Sequence, residues 1–158
     1  MPEEIALRPL TAEDQPFLWE VFYHAIYVEP GEPPLPPDVV HLPELSRYVV
    51  DFGRPGDRGV VALAGDRPVG AAWVRLMHGY GFVDDATPEL TIALLPGWRG
   101  QGLGTRLLKQ LLADIAPHFA QVCLSVTWTN PARRLYERLG FEVVARDGDS
   151  ATMLKRLS

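Results

Sequence analysis

Alternate glycines behind an arginine, Arg99-Gly100-Gln101-Gly102-Leu103-Gly104, form the stretch of this chain best suited to hold a charged ligand. An extended apolar run, Leu90-Thr91-Ile92-Ala93-Leu94-Leu95, and a turn at Pro96-Gly97-Trp98 come before it. After it, Leu103, Leu107, Leu108, Leu111, Leu112 and Ile115 recur every three or four residues, the period of an amphipathic helix. The spacing predicts strand, glycine-rich turn and helix in succession. The first turn of a helix carries backbone N–H groups with no internal partner, and the aligned peptide dipoles place partial positive charge there. Gly100, Gly102 and Gly104 leave those amides uncovered, and Arg99 adds a full charge beside them. The chemistry this implies is a cradle for phosphate or pyrophosphate.

Two familiar cradles do not fit. A P-loop needs a lysine followed by serine or threonine after the glycines, and none follows here. A dinucleotide fingerprint needs GxGxxG in an early strand–turn–helix unit, whereas these glycines run G-x-G-x-G past the middle of the chain. Other residues offer chemistry singly. Glu89 precedes the apolar run, Tyr136 sits on a later helix, and the histidines are scattered, with His24 and His78 able to line a site. Asp84-Asp85 has no histidine or further acid at ligand spacing, so no metal is expected. Cys123 alternates with Val122 and Leu124 in an apolar strand pattern, which argues against a covalent acyl-cysteine.

These residues need a scaffold, and the 158-residue chain is of a size for one domain, 1–158, with a proper core. An apolar content of 47% with 22% charged residues is that of a soluble globular protein. The net charge of −5 disfavours nucleic acid as the partner, although Arg99, Arg106 and Lys109 leave room for a local basic pocket. One cysteine cannot form an internal disulfide and suits a reducing cytoplasm. The acidic opening Met1-Pro2-Glu3-Glu4 leads into a strand-like segment rather than a signal peptide, and no apolar run approaches the ~20 residues of a membrane span.

The elements follow in order. A strand at residues 5–8 leads to a helix capped by Thr11 that carries Phe17, Leu18, Val21, Phe22, Ala25 and Ile26 on one face. Six prolines between 30 and 43 predict a stiff, packed loop. Leu45, Tyr48, Val49 and Phe52 suggest a second short helix stopped at Gly53. A hairpin of strands 60–63 and 69–76 turns at Gly65-Asp66-Arg67-Pro68, and a loop at 77–88 reaches the central strand. The glycine-led helix ends at Pro117, and a strand follows at 121–127. Asn130-Pro131 then opens a helix that stops at Gly140, and strands 141–145 and 151–157 close the chain.

This order, β-α-α-β-β-β-α-β-α-β-β, together with two segments, resembles the GNAT superfamily of N-acetyltransferases over nearly the whole chain. Arg99-x-x-Gly102-x-Gly104 matches the family's acyl-CoA motif at its fixed positions. The segment from Val126 through Asn130, Leu135, Tyr136 and Gly140-Phe141 is similar to its second signature, with Ala132 beside the slot where the family's alanine falls. The resemblance implies an α/β (α+β) GNAT fold: a mixed, mostly antiparallel sheet of six or seven strands with about four helices.

It also implies a division of labour. Arg99, Gly100, Gln101, Gly102, Gly104 and Thr105 would hold the CoA pyrophosphate, and Ile92 and Leu94 would pair through their backbone with the pantetheine arm. The central strand and the strand at 121–127 splay apart in the family, which frees an amide there to stabilise an oxyanion. Asn130 would reach the pantetheine or the neighbouring backbone, and Tyr136 would protonate the leaving thiolate. Glu89 is the candidate base for the acceptor amine. The expected activity is acetyl transfer from acetyl-CoA to a small-molecule or peptide amine by direct attack, with a homodimer among the open assemblies. A non-catalytic acyl-CoA-binding module and an enzyme with another acyl donor stay open. The acceptor pocket is expected among the first helix, the proline-rich loop, the 77–88 loop and Trp128, with Tyr23, Tyr27, Tyr80 and Phe82 as aromatic walls. Glu29, Glu32, Asp84 and Asp85 would attract a cationic amine there.

Overall fold

A computed structural model describes residues 4–157, so Met1-Pro2-Glu3 of the acidic opening and Ser158 lie outside the described residues. Among the described residues, strands β1 (Ile5–Pro9), β2 (Arg58–Ala64), β3 (Arg67–Arg75), β4 (Glu89–Leu94), β5 (Gln121–Thr127), β6 (Glu142–Asp147) and β7 (Ser150–Arg156) form one seven-stranded sheet. Their spatial order is β1-β2-β3-β4-β5-β7-β6, and every neighbouring pair is antiparallel except β4 with β5. The helices are α1 (Gln15–Phe22), α2 (Pro43–Ser46), α3 (Leu103–Ile115) and α4 (Ala132–Arg138). The mixed sheet and the helix number are those of the expected fold class.

Side chains alternate across the sheet and build a separate core on each face. On one face Leu103, Leu107, Leu108, Leu111 and Ile115 of α3 pack on Val60, Ala72, Val74, Leu90 and Leu124, and Tyr136 of α4 joins them. On the other, Leu18, Val21 and Phe22 of α1 pack with Tyr48, Val49 and Phe52 on Val61, Ala71, Trp73 and Ala93. Burying α3 requires the three-and-four leucine spacing seen in the sequence, and its 13 residues end at Ile115 as that spacing does.

Three elements depart from the sequence reading. The helix expected from Thr11 to Ile26 is split: α1 covers only Gln15–Phe22, and 3₁₀ turns at Ala12–Asp14 and Tyr23–Ala25 flank it. Thr11 still marks the start, with its N–H donating to Asp14 Oδ2 at 2.8 Å, and Ile26 is already extended. The proline-rich loop contains a 3₁₀ turn at Pro37–His41. The second helix is a single turn followed by irregular turns, and the chain cannot continue as a helix to Gly53 because it passes through Asp51 at φ 55° and Gly53 at φ 120°, conformations no right-handed helix contains. Tyr48, Val49 and Phe52 after it are buried all the same, and Leu45 is partly buried.

A buried arginine ties this irregular segment to the sheet. Arg75, fully buried at the end of β3, donates to Asp57 Oδ1 at 3.1 Å, to the Arg47 carbonyl at 3.0 Å and to the Asp51 carbonyl at 3.4 Å. Trp73 Nε1 donates to the Tyr48 carbonyl at 2.9 Å. Tyr48 therefore sits on a turn held by two β3 side chains.

Candidate active site

β4 and β5 pair at one end only. Glu89 lies opposite Cys123, and the Cys123 N–H donates to the Pro88 carbonyl at 3.0 Å. On its other side β4 stays paired with β3, where the Leu95 N–H donates to the Val69 carbonyl at 2.9 Å. Backbone groups alternate sides along a strand, so the amides of Ile92 and Leu94 face the gap toward β5. A central strand with outward-facing donors and no strand to receive them can pair with an extended ligand.

The glycine-rich turn closes one end of this gap. Gly100 and Gly102 adopt φ of 75° and 79°, and a Cβ at either would meet nothing within 4 Å, so backbone conformation rather than space selects glycine there. Gly104 is on the first turn of α3, where a Cβ would make ordinary contacts with Leu135 and Ile92. The Arg106 N–H donates to the Gly102 carbonyl at 3.2 Å, while the amides of Leu103, Gly104 and Thr105 find no backbone acceptor among the described residues. Arg99 donates to the His24 carbonyl at 2.9 Å, and the Gln101 amide donates to the Gly97 carbonyl at 2.8 Å, bracing the turn.

Two clefts meet at the splay. The larger, of about 710 Å³, runs between Arg99, Gly104, the Ile92–Leu94 backbone and the segment from Tyr23 to Leu35. The smaller, of about 380 Å³, is walled by Tyr27, Tyr48, Tyr80, Glu89 and Ser125. Ile92, Asn130 and Tyr136 line both. Asn130 Oδ1 accepts the Ala132 N–H at 2.9 Å, which caps α4 and fixes the helix that carries Tyr136. Tyr136 packs edge-on against Phe141, and its hydroxyl has no hydrogen-bond partner among the described residues. Burial pushes its pKa up to about 12, so the phenol is protonated at neutral pH.

Glu89 is only 2% exposed, yet it lines the smaller cleft. Its carboxylate accepts the Tyr48 hydroxyl at 2.5 Å and the Gly81 N–H at 3.1 Å. Burial raises its pKa above the ordinary carboxylate range, and these two donors partly oppose that rise. A carboxylate so placed takes up a proton more readily than one in water.

Several expected acceptor-side residues are elsewhere. Glu29 and Glu32 line the larger cleft, as do Tyr23 and His24. Asp84 turns inward to cap its own loop, accepting the Ala86 N–H and the Thr87 hydroxyl, and Asp85 pairs with His78 at the surface. Phe82 stacks on His78, and Trp128 is held between the guanidinium groups of Arg133 and Arg146, each 3.9 Å from its ring. None of Asp84, Asp85, His78, Phe82 and Trp128 lines either cleft. Tyr27 and Tyr80 do stand on the smaller one. Tyr48 and the Gly81 amide were not legible as site groups. Tyr48 fits the apolar face of a helix, and its only polar signal is being tyrosine rather than phenylalanine.

Comparison with known proteins places this geometry. Residues 55–143, more than half of the chain, match the family model described as an acetyltransferase (GNAT) domain. No curated protein matches the chain at a significant level. Among solved structures, it is similar to YncA, a putative acetyltransferase from Salmonella typhimurium with its cofactor acetyl-CoA. That likeness has a TM-score of 0.71 at 21% identity, over 98% of this chain and 95% of that one. The PaiA N-acetyltransferase of Thermoplasma acidophilum, in complex with coenzyme A, gives 0.67 at 20% identity over 97% and 99%. The ribosomal-protein-S18-alanine N-acetyltransferase of Escherichia coli gives 0.70 at 18% identity over 98% and 95%. At these identities the structural likeness speaks for the fold.

Proposed function

The chain belongs to the acetyltransferase (GNAT) family, and from that premise we propose that it transfers the acetyl group of acetyl-CoA to a primary amine by direct attack, within one domain. Two of the similar structures hold CoA or acetyl-CoA. The residues here suit such a cosubstrate: unpaired amides at Leu103–Thr105 for a pyrophosphate, and the outward amides of Ile92 and Leu94 for an extended amide-bearing arm. Bound acetyl-CoA supplies an acyl thioester, which amines attack.

In this reading Arg99 and Gly104, which line the larger cleft, form its pyrophosphate end with Gly100, Gln101, Gly102 and Thr105 of the same turn, although those four do not line the cleft themselves, and Asn130 on the same lining stands beside the arm. A β4 amide at the splay donates to the carbonyl oxygen as negative charge develops on it. The acceptor amine enters the smaller cleft past Tyr27 and Tyr80. It must lose a proton to attack, and Glu89 receives that proton directly or through a water. Tyr136, protonated and lining both clefts, gives its proton to the departing sulfur. The 380 Å³ of the smaller cleft suits a compact amine or the amino end of a peptide.

The observation that carries this reading is Tyr136 at the junction of the two clefts, beside the outward-facing amides of β4. Thermal melting with and without acetyl-CoA tests the donor half. Ligand at ~100 times its Kd adds about 2.7 kcal/mol, a rise of roughly 5–10 °C for a domain of this size. Thiol release with a panel of primary amines tests the acceptor half. No shift at millimolar acetyl-CoA would overturn the donor assignment.

A further inference from the structure

The carboxylate of Glu89 is held by an arrangement that reaches well beyond β4. Tyr48 donates its hydroxyl proton to Glu89 Oε2 at 2.5 Å, and the Tyr48 hydroxyl oxygen in turn accepts the Tyr80 N–H at 2.9 Å. Gly81 donates its N–H to Glu89 Oε1 at 3.1 Å. The 79–81 backbone comes so close that a Cβ on Gly79 would stand 2.5 Å from Glu89 Oε1 and 2.7 Å from the Tyr48 hydroxyl. Gly79 does not have a positive φ, so glycine is required there by the closeness of this pair and not by conformation. From the far side Tyr48 is fixed by its stack on Phe22 and by the Trp73 bond to its carbonyl.

We propose that Tyr48 is a positioning residue for Glu89: together with the Tyr80–Gly81 backbone it fixes the carboxylate on the wall of the acceptor cleft and favours its ionised form. The proposal rests on Glu89 being the base. A buried carboxylate without donors would stay protonated and could not accept a proton from the amine. Each donated hydrogen bond favours the charged form. The other titratable groups around Glu89 are Arg47, whose charge favours the carboxylate, the buried Cys123 thiol, and Tyr27, Tyr80 and Tyr136 on the same cleft. None of these donates a hydrogen bond to it.

Carbon-13 NMR of glutamate-labelled full-length protein tests this without any acceptor. The Glu89 carboxyl signal is assigned by its disappearance in Glu89→Gln and followed against pH. In Tyr48→Phe, which keeps the ring and its stacking, the midpoint should rise by about one pH unit or more, the size expected for losing a hydrogen bond to a charged group. Gly79→Ala pushes on the flexible end of Glu89 and should move the same signal while the protein stays folded. A midpoint unmoved in Tyr48→Phe overturns the proposal. Failure of the base reading appears separately, as undiminished acetyl transfer by Glu89→Gln.

Discussion

The larger cleft offers unpaired backbone amides beside its charged side chains, whereas the smaller one turns on the side chains of Glu89, at the start of β4, and Tyr48, on an irregular turn. On the donor side are the amides of Ile92, Leu94 and Leu103–Thr105, shaped by glycines in left-handed conformations. On the acceptor side a buried glutamate is gripped by a tyrosine from one loop and an amide from another. On the proposed function the difference follows from what each cleft must recognise. A pyrophosphate and an extended amide-bearing arm present the same atoms in any enzyme that uses them, and backbone can bind them whatever the side chains. Removing a proton from an amine needs a titrating group whose surroundings set its charge, and only a side chain supplies one.

Four substitutions can break or sharpen this contrast. Glu89→Gln removes the proposed acceptor-side base and should lower kcat/KM by about 10²–10⁴ while leaving the acetyl-CoA-induced rise in melting temperature intact. A parallel loss of that thermal shift would show that the two clefts are not separable. Tyr136→Phe, at the junction, should lower kcat by roughly 10² with acetyl-CoA affinity nearly unchanged, measured by steady-state kinetics alongside calorimetric titration. If binding falls with rate, the ring matters and the hydroxyl does not. Gly102→Val forces a β-branched residue to φ near 79°, so it should weaken acetyl-CoA binding by more than about tenfold in the folded protein. Normal affinity would remove the cradle from the site. The smallest effect is expected from Asp85→Asn, whose pairing with His78 is exposed: less than about 1 kcal/mol in stability and no change in acceptor KM.

The pH behaviour separates the clefts again. In its proposed role Glu89 acts as a base only when ionised, and its pKa is raised by burial, so the rate should fall as pH drops through that raised value. In its proposed role Tyr136 must be protonated, and with its pKa pushed up to about 12 it imposes no loss across the neutral range. Stability should follow the opposite sign for Glu89. A carboxyl whose folded pKa lies above its unfolded one contributes stability at low pH that is lost as pH rises through the folded value. Glu89→Gln keeps the neutral form at every pH, so its melting temperature at pH 7 should be no lower than that of the parent. A clear drop would mean that the Tyr48 and Gly81 bonds outweigh the burial of the charge.

The sequence by itself determined the strand, glycine-rich turn and helix that run from β4 into α3. Glycines at fixed spacing between an apolar strand and a leucine-striped helix identify a local strand–turn–helix unit, and local units follow from local patterns. The β-element order, the placement of Tyr136 on a helix capped by Asn130, and Glu89 at the entrance to β4 were legible for the same reason. The tertiary structure decided what faces what. Tyr48 and Glu89 are 41 residues apart and meet only because Arg75 and Trp73 dock an irregular turn against the end of β3. Asp84 and Asp85 are as acidic as Glu89 but cap a loop and pair at the surface, because the 77–88 segment folds back on itself. Residue type states which proton a side chain can hold. Burial and partners brought from distant parts of the chain decide whether it holds that proton where a reaction needs it.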